Sequence, residues 1–278
     1  MENKEAAAPG DNKTSRIKAA LFDFDGTISV IRQGWETVMA PFMLEIISGR
    51  TADQASSYLK EMVHAYIEKS TGIQTIEQMI WLTKKSDELD LNPDRPKDPW
   101  TCKEIYIERL HRHILDRRQQ LISKSTDPEC LMVAGSANWL SFLKEKNIAL
   151  YLASGSDEKD VIYEADLLGI RHYFDIIAGA QPYELNCAKE KVILRLLDEY
   201  KLAPGELVVI GDGPVEIQIG VKAGARTLGV ASDEVHRSGI DESKKQRLAK
   251  AGADQIIGDF LPESVSAIKQ WLGFEEII

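Results

Sequence analysis

The chain lacks any run of about 18 apolar residues, so no segment reads as a membrane-spanning helix. Cysteine is scarce. Cys102, Cys130 and Cys187 are odd in number and irregularly spaced, which fits neither a disulfide framework nor a zinc knuckle. Basic residues are in deficit, 34 Lys and Arg against 44 Asp and Glu, for a formal net charge of -10. That balance argues against a nucleic-acid partner, because phosphate backbones are held mainly by Lys and Arg. A small phosphate ligand in a local pocket stays compatible with it. The opening stretch, Met1 to Lys18, has no apolar core of the kind a secretory signal needs. Met1 to Ser15 reads as a disordered lead-in. A cytoplasmic protein with reduced thiols is the expectation.

The rest of the 278 residues is ordinary for a globular chain, 44% hydrophobic and 28% charged. No fixed internal repeat is evident, but the texture changes along the chain. Ile17 to Phe24 reads IKAALFDF, a short apolar run typical of a buried strand, and it ends at the turn pair Asp25-Gly26. From Ile31 to Lys124 the periodicity is helical. Trp35, Val38, Met39, Phe42, Met43, Ile46 and Ile47 form one stripe, in which Pro41 is expected to kink the helix or end its first part. Tyr58 to Ile67 and Ile76 to Ile80 give two more helices, and Cys102 to Ile114 a fourth. After Ser125 strands and helices alternate. Helices are expected at Ala137–Lys146, Asp157–Leu168, Lys189–Tyr200, Val215–Ala223, Lys244–Ala251 and Glu263–Trp271. Strands are expected at Ile148–Leu152, Ile176–Ile177, Leu207–Ile210, Thr227–Val230 and Gln255–Ile257. Such alternation predicts an α/β fold, a Rossmann-like parallel-sheet core flanked by helices. The predicted division is a core of 16–30 plus 125–278, interrupted after its first strand by an all-helical insertion, 31–124.

In open α/β sheets ligands bind beyond the carboxyl ends of the strands. Three predicted strands end in short polar, glycine-bearing segments: Asp23-Phe24-Asp25-Gly26-Thr27, Ser154-Gly155-Ser156, and Gly211-Asp212-Gly213 with Glu216 following. If these ends converge, Asp23, Asp212 and Glu216 supply hard oxygen ligands suited to Mg²⁺. A phosphoryl group beside them needs donors. The backbone N–H groups around Gly26 and Gly155, the hydroxyls of Thr27 and Ser154, and a lysine are candidates. A carboxylate can then attack phosphorus to give an aspartyl-phosphate, and a second carboxylate two residues on can exchange protons with leaving group and water.

These strings resemble the four motifs of the haloacid dehalogenase-like superfamily, in the family's order. LFDFDGTIS resembles the first, YLASGS the second, CAKEKVI the third and VIGDGPVEI the fourth. The resemblance covers about Ile17 to Val30 and Leu131 to Ile257. It implies Asp23 as nucleophile and metal ligand. It implies Asp25 as general acid/base, with its backbone carbonyl on the metal; an Asp in that place resembles the phosphatase branch. It further implies Ser154 and Lys189 as phosphate stabilisers, with Lys191 as the alternative lysine. Asp212 would be a metal ligand, and Glu216 would bind the metal through water or orient it. The insertion resembles a helical cap that closes over the site and selects substrates. The implied activity is Mg²⁺-dependent hydrolysis of a small phosphorylated metabolite, with sugar phosphates a reasonable guess and nucleotides and phosphorylated acids open. A phosphomutase would use the same residues, and a non-catalytic phosphate sensor is the rival from another class. Oligomeric state is not readable.

Each residue also has a bland reading. Asp-Gly is a common turn pair, and Ser154-Gly155 alone would be a helix cap. Most lysines are solvated, and Glu216 could merely favour a helix N-terminus. Four motifs in order outweigh these readings for the strand-end residues. For Arg32 the solvated reading is preferred, and for Trp35 a core position. Lys84-Lys85 and Arg117-Arg118 read as surface charge. The five histidines show no metal-ligand spacing that fits the α/β site.

Overall fold

The structure is a computed structural model that describes residues 16–185 and 188–274. The lead-in Met1 to Ser15 and Cys187 lie outside the described residues. Six parallel strands form one sheet: β1 (Ala19–Phe22), β2 (Ala149–Asp157), β3 (Ile176–Ala180), β4 (Leu207–Gly211), β5 (Arg226–Val230) and β6 (Gln255–Ile257). Their spatial order is β3-β2-β1-β4-β5-β6, so β1 is hydrogen-bonded on both sides. Its side chains alternate between two faces, as a pleated strand requires. Ala20 and Phe22 join one apolar core, while Ala19 and Leu21 join another. The expected alternation of strands and helices is therefore present. β2 runs past the predicted end at Leu152, through the Ser154-Gly155 segment, with its pairing to β3 shifted in register between Ala153 and Asp157.

Five α-helices lie between β1 and α6 (Ser136–Glu145), the helix that precedes β2. They are α1 (Glu36–Ser48), α2 (Ser57–Lys69), α3 (Thr75–Leu89), α4 (Pro99–His113) and α5 (Leu115–Ile122). α5 was not distinguished in the sequence, where Ile114 reads as the end of one helix. Pro41 lies inside α1 without ending it, so the second of the two expected outcomes does not occur. The apolar stripe explains the difference: Met39, Phe42, Met43, Ile46 and Ile47 are all buried, and their packing holds the helix together across the missing N–H. The same core runs from Phe22 and Phe24 through Ile28 and Ile31 to Met39, Phe42 and Met79, so insertion and sheet share one apolar interior. The remaining helices flank the sheet: α6 (Ser136–Glu145), α7 (Glu158–Leu167), α8 (Ala188–Asp198), α9 (Pro214–Lys222), α10 (Glu242–Ala251) and α11 (Pro262–Trp271). No helix among the described residues is long and apolar enough to cross a membrane.

Candidate active site

The carboxyl ends of β1, β2 and β4 are neighbours, and they bring the predicted residues to one edge of the sheet. Asp23 follows β1 directly, its backbone N–H donating to Ile210 O at 2.8 Å. Asp212 follows β4, and Glu216 sits in the first turn of α9. One carboxylate oxygen from each of Asp23, Asp212 and Glu216 lies within 4.8 Å of the others, and all three residues are buried. Lys189, 2% exposed at the start of α8, reaches into this cluster. Its Nζ is 2.8 Å from Asp23 Oδ1 and donates to Glu216 Oε2 at 2.9 Å and to Gly72 O at 3.2 Å. Lys191 instead points outward and pairs with Glu184, so of the two lysines it is Lys189 that reaches the carboxylate cluster.

The charges do not balance locally. Burial pushes the Asp23 carboxyl well above the usual range; Lys189 pulls it back, and the neighbouring Glu216 and Asp212 push it up again. Clustered buried carboxylates are costly unless a cation or protons compensate. This donor set of hard oxygens, crowded around a space with too little positive charge, fits a divalent ion of the Mg²⁺ type. Glu216 differs from the other two. Its Oε1 accepts from Gly213 N–H at 2.6 Å while Oε2 takes Lys189, so its lone pairs already serve the loop and the lysine. An orienting role fits it better than direct ligation.

Asp25 lies beside this cluster. Ser156 Oγ donates to Asp25 Oδ2 at 2.9 Å, and the Arg32 guanidinium approaches Oδ1 at 3.6 Å. Burial raises Asp25 to about 6, against the pull of Arg32. Ser154 Oγ accepts from Ser156 N–H at 3.1 Å and keeps its own proton for another acceptor. Gly155 is pressed against the insertion: a Cβ there would sit 2.4 Å from Ile73 O. Two expected phosphate donors are placed differently. Gly26 adopts a positive φ of 74° and its N–H donates inward to Ser29 O at 2.9 Å. A Cβ on Gly26 would lie 2.2 Å from Asp212 Oδ2, so the glycine serves close approach to that acid. The Thr27 hydroxyl is fully buried without a partner among the described residues and away from the cavity wall.

Several residues escaped the sequence reading. Arg32 is buried, not solvated. It forms a fork with Glu164 (3.0 and 3.2 Å) and donates to Ser156 Oγ at 2.5 Å. Arg118 is not loose surface charge either; it joins Glu164 at 2.5 Å from α5, and Arg117 donates to Ile31 O and Gln33 O at 2.8 Å each. Lys244 from α10 donates to Asp212 Oδ2 at 2.9 Å and to Glu234 at 2.6 Å. Trp35 does both jobs, packing on the core and lining the cleft. The site surrounds a cavity of about 90 Å³, roofed by the loop between α2 and α3 at Thr71, Gly72 and Ile73.

Comparison with known proteins agrees with this fold. The chain is 22% identical over 254 residues to a phosphoglycolate phosphatase of Shigella boydii, covering 90% of this chain and 94% of that protein. It is 24% identical over 217 residues to a Clostridium perfringens protein provisionally named pyrophosphatase PpaX, covering 77% and 84%. The fold matches the crystal structure of a β-phosphoglucomutase from Clostridium difficile with a TM-score of 0.61 at 18% identity, over 92% of this chain and 97% of that one. The profile for haloacid dehalogenase-like hydrolases matches residues 17–224. With three quarters of its length inside that match, the chain belongs to the haloacid dehalogenase-like hydrolase family and is an enzyme of that family.

Proposed function

We propose that this hydrolase is a Mg²⁺-dependent phosphatase of a small phosphorylated metabolite, acting in the cytoplasm through an aspartyl-phosphate on Asp23. The observation that carries the reading is the pair of oxygens on Asp23. Oδ1 is held by Lys189, Oδ2 has no hydrogen bond to protein among the described residues, and Asp23 lines the cavity. That leaves one oxygen for in-line attack on phosphorus. The new Asp23 O–P bond forms as the P–O bond to the leaving group breaks, and Asp25 gives its proton to the departing oxygen. Water then attacks phosphorus, returns a proton to Asp25 and frees Asp23. A carboxyl raised to about 6 can hold and release that proton near neutral pH. Lys189 and the Ser154 hydroxyl face the phosphoryl oxygens. Asp23, Asp212 and the Asp25 carbonyl would hold Mg²⁺, with Glu216 orienting the set. When bound, the ion supplies positive charge that neutralises the phosphoryl group.

The helical insertion acts as the cap in this reading, since the Gly72–Ile73 loop already covers the chemistry and keeps water out. A cavity of about 90 Å³ is well below the roughly 300–1,000 Å³ of drug-sized sites, which favours a short substrate. The test is phosphate release from a panel of phosphomonoesters, with and without Mg²⁺, for wild type and Asp23→Asn. Mg²⁺-dependent release that the substitution abolishes is expected. Folded protein that releases no phosphate from any compound, or an Asp23→Asn variant that stays active, would refute the reading. Isomerised sugar phosphate without free phosphate would identify a phosphomutase instead.

A further inference from the structure

The wall of the cavity also carries side chains from α3 and α4, and these bear on the leaving group. Tyr106, on α4, is 2% exposed and lines the cavity, its ring packed on Phe42 at 6.0 Å between centroids. Its hydroxyl has no hydrogen-bond partner among the described residues. A buried phenol normally finds one. Gln78, on α3, is 4% exposed and lines the same cavity. Its amide nitrogen donates to Ser70 Oγ at 3.1 Å, but its carbonyl oxygen has no partner among the described residues. The wall therefore offers a hydroxyl, which can donate or accept, and an amide oxygen, which can only accept.

Charge points the same way. The cations near the cavity are already committed. Arg32 is forked onto Glu164 and bonded to Ser156. Lys189 is shared by Asp23 and Glu216, and Lys244 by Asp212 and Glu234. Asp25 and Glu234 also border the space. A second anionic group on the substrate would meet carboxylates and an unprotonated amide oxygen, with no free cation among the described residues that line the cavity to neutralise it. Gln78 Oε1 accepts only, so it suits an O–H and repels a carboxylate.

We propose that the substrate is the monophosphate of a short polyol or sugar, uncharged beyond its phosphate, and that Tyr106 and Gln78 select it by hydrogen-bonding its hydroxyls. The proposal rests on the phosphatase reading above. It separates this enzyme from one that acts on a phosphorylated acid.

The test compares two compounds that differ at one carbon: glycerol 3-phosphate, ending in CH₂OH, and 3-phosphoglycerate, ending in carboxylate. p-Nitrophenyl phosphate serves as a general probe of phosphatase activity. The expected kcat/KM ratio favours glycerol 3-phosphate by at least about tenfold, the scale of leaving a buried polar group mispaired. Tyr106→Phe and Gln78→Leu should raise KM for glycerol 3-phosphate by roughly tenfold each and shrink that ratio. Hydrolysis of p-nitrophenyl phosphate together with equal or faster turnover of 3-phosphoglycerate overturns the inference and leaves the phosphatase reading standing. Absence of Mg²⁺-dependent release from all three compounds overturns that reading, and this inference with it. The wild-type ratio decides the matter even where a variant fails to fold.

Discussion

Arg32→Met removes the centre of a buried ionic network. The Arg32 side chain is 6% exposed and that of Glu164 is 0% exposed. Arg32 gives Glu164 three contacts, Nε to both carboxylate oxygens (3.2 and 3.0 Å) and a second nitrogen to Oε1 at 3.2 Å. With Arg32 gone, Glu164 retains Arg118 as its one cationic partner among the described residues, and Arg118 also serves Asp160 at 3.5 Å. Removing one partner of a buried pair costs up to about 3–5 kcal/mol where the remaining charge is uncompensated, and the Arg118 contact that stays on Glu164 keeps the loss toward the lower end of that range. The side chain of Met fills much of the same space, so little of the loss comes from a cavity. At roughly 2–4 °C per kcal/mol for a chain of this size, the melting temperature should fall by about 6–20 °C. Urea unfolding gives the free energy directly. Arg32→Met combined with Glu164→Met should recover at least about 1.5 kcal/mol relative to the sum of the single variants, the mark of a coupled pair. A single-variant loss below about 1 kcal/mol, or additive double-variant behaviour, would refute the account of Glu164 as a charge held by both arginines.

Asp160 gives a pH-dependent prediction. Burial would raise its carboxyl, but the hydrogen bond and charge of His111 and the charges of Arg32 and Arg118 outweigh this and pull it down to about 2. A folded-state value below the unfolded value of about 3.9 means stability that is present above pH 4 and lost as pH falls towards 2. Asp160→Asn should therefore cost about 2 kcal/mol at neutral pH and progressively less across that window, measured by urea unfolding; a cost that does not shrink in acid would contradict the assignment. Gly155→Ala places a Cβ 2.4 Å from Ile73 O, so the α2–α3 loop must move away. Phosphate release should fall at least about tenfold and backbone amides of Ser70 to Gln74 should exchange faster; unchanged exchange would mean the loop accommodates the methyl.

The sheet and its strand-end acids were legible because their signals are local. Four strings of a few residues each mark a strand, its polar end and the following helix, and the structure gathers Asp23, Asp25, Ser154, Lys189, Asp212 and Glu216 at one edge. Arg32 was misread because its partner is 132 positions away, and no local pattern distinguishes a solvated arginine from one forked onto a distant glutamate. The same holds for Arg118 and for Lys244, whose helix periodicity says only that it lies near an N-terminus. Gly26 and Thr27 show the converse error. Their motif was read as a set of donors, but the positive φ of Gly26 turns its N–H inward and the Thr27 hydroxyl is sealed in the core. Pro41 does not end its helix, because propensity speaks for an isolated helix and the buried stripe from Met39 to Ile47 decides the outcome here.

The central place of β1 has a consequence for assembly of the molecule. Ala19 finds its neighbours at Ala149 and Leu207, each more than a hundred residues later in the chain. During synthesis the strand that Asp23 follows therefore emerges before its partners and waits unpaired while α1 to α5 are made. Those helices contact mostly one another, so they can form from nearby residues and draw the ends of a long loop together before any sheet exists. The insertion would then shorten the search that pairs β1 with its partners, and the chain would fold from its middle outward.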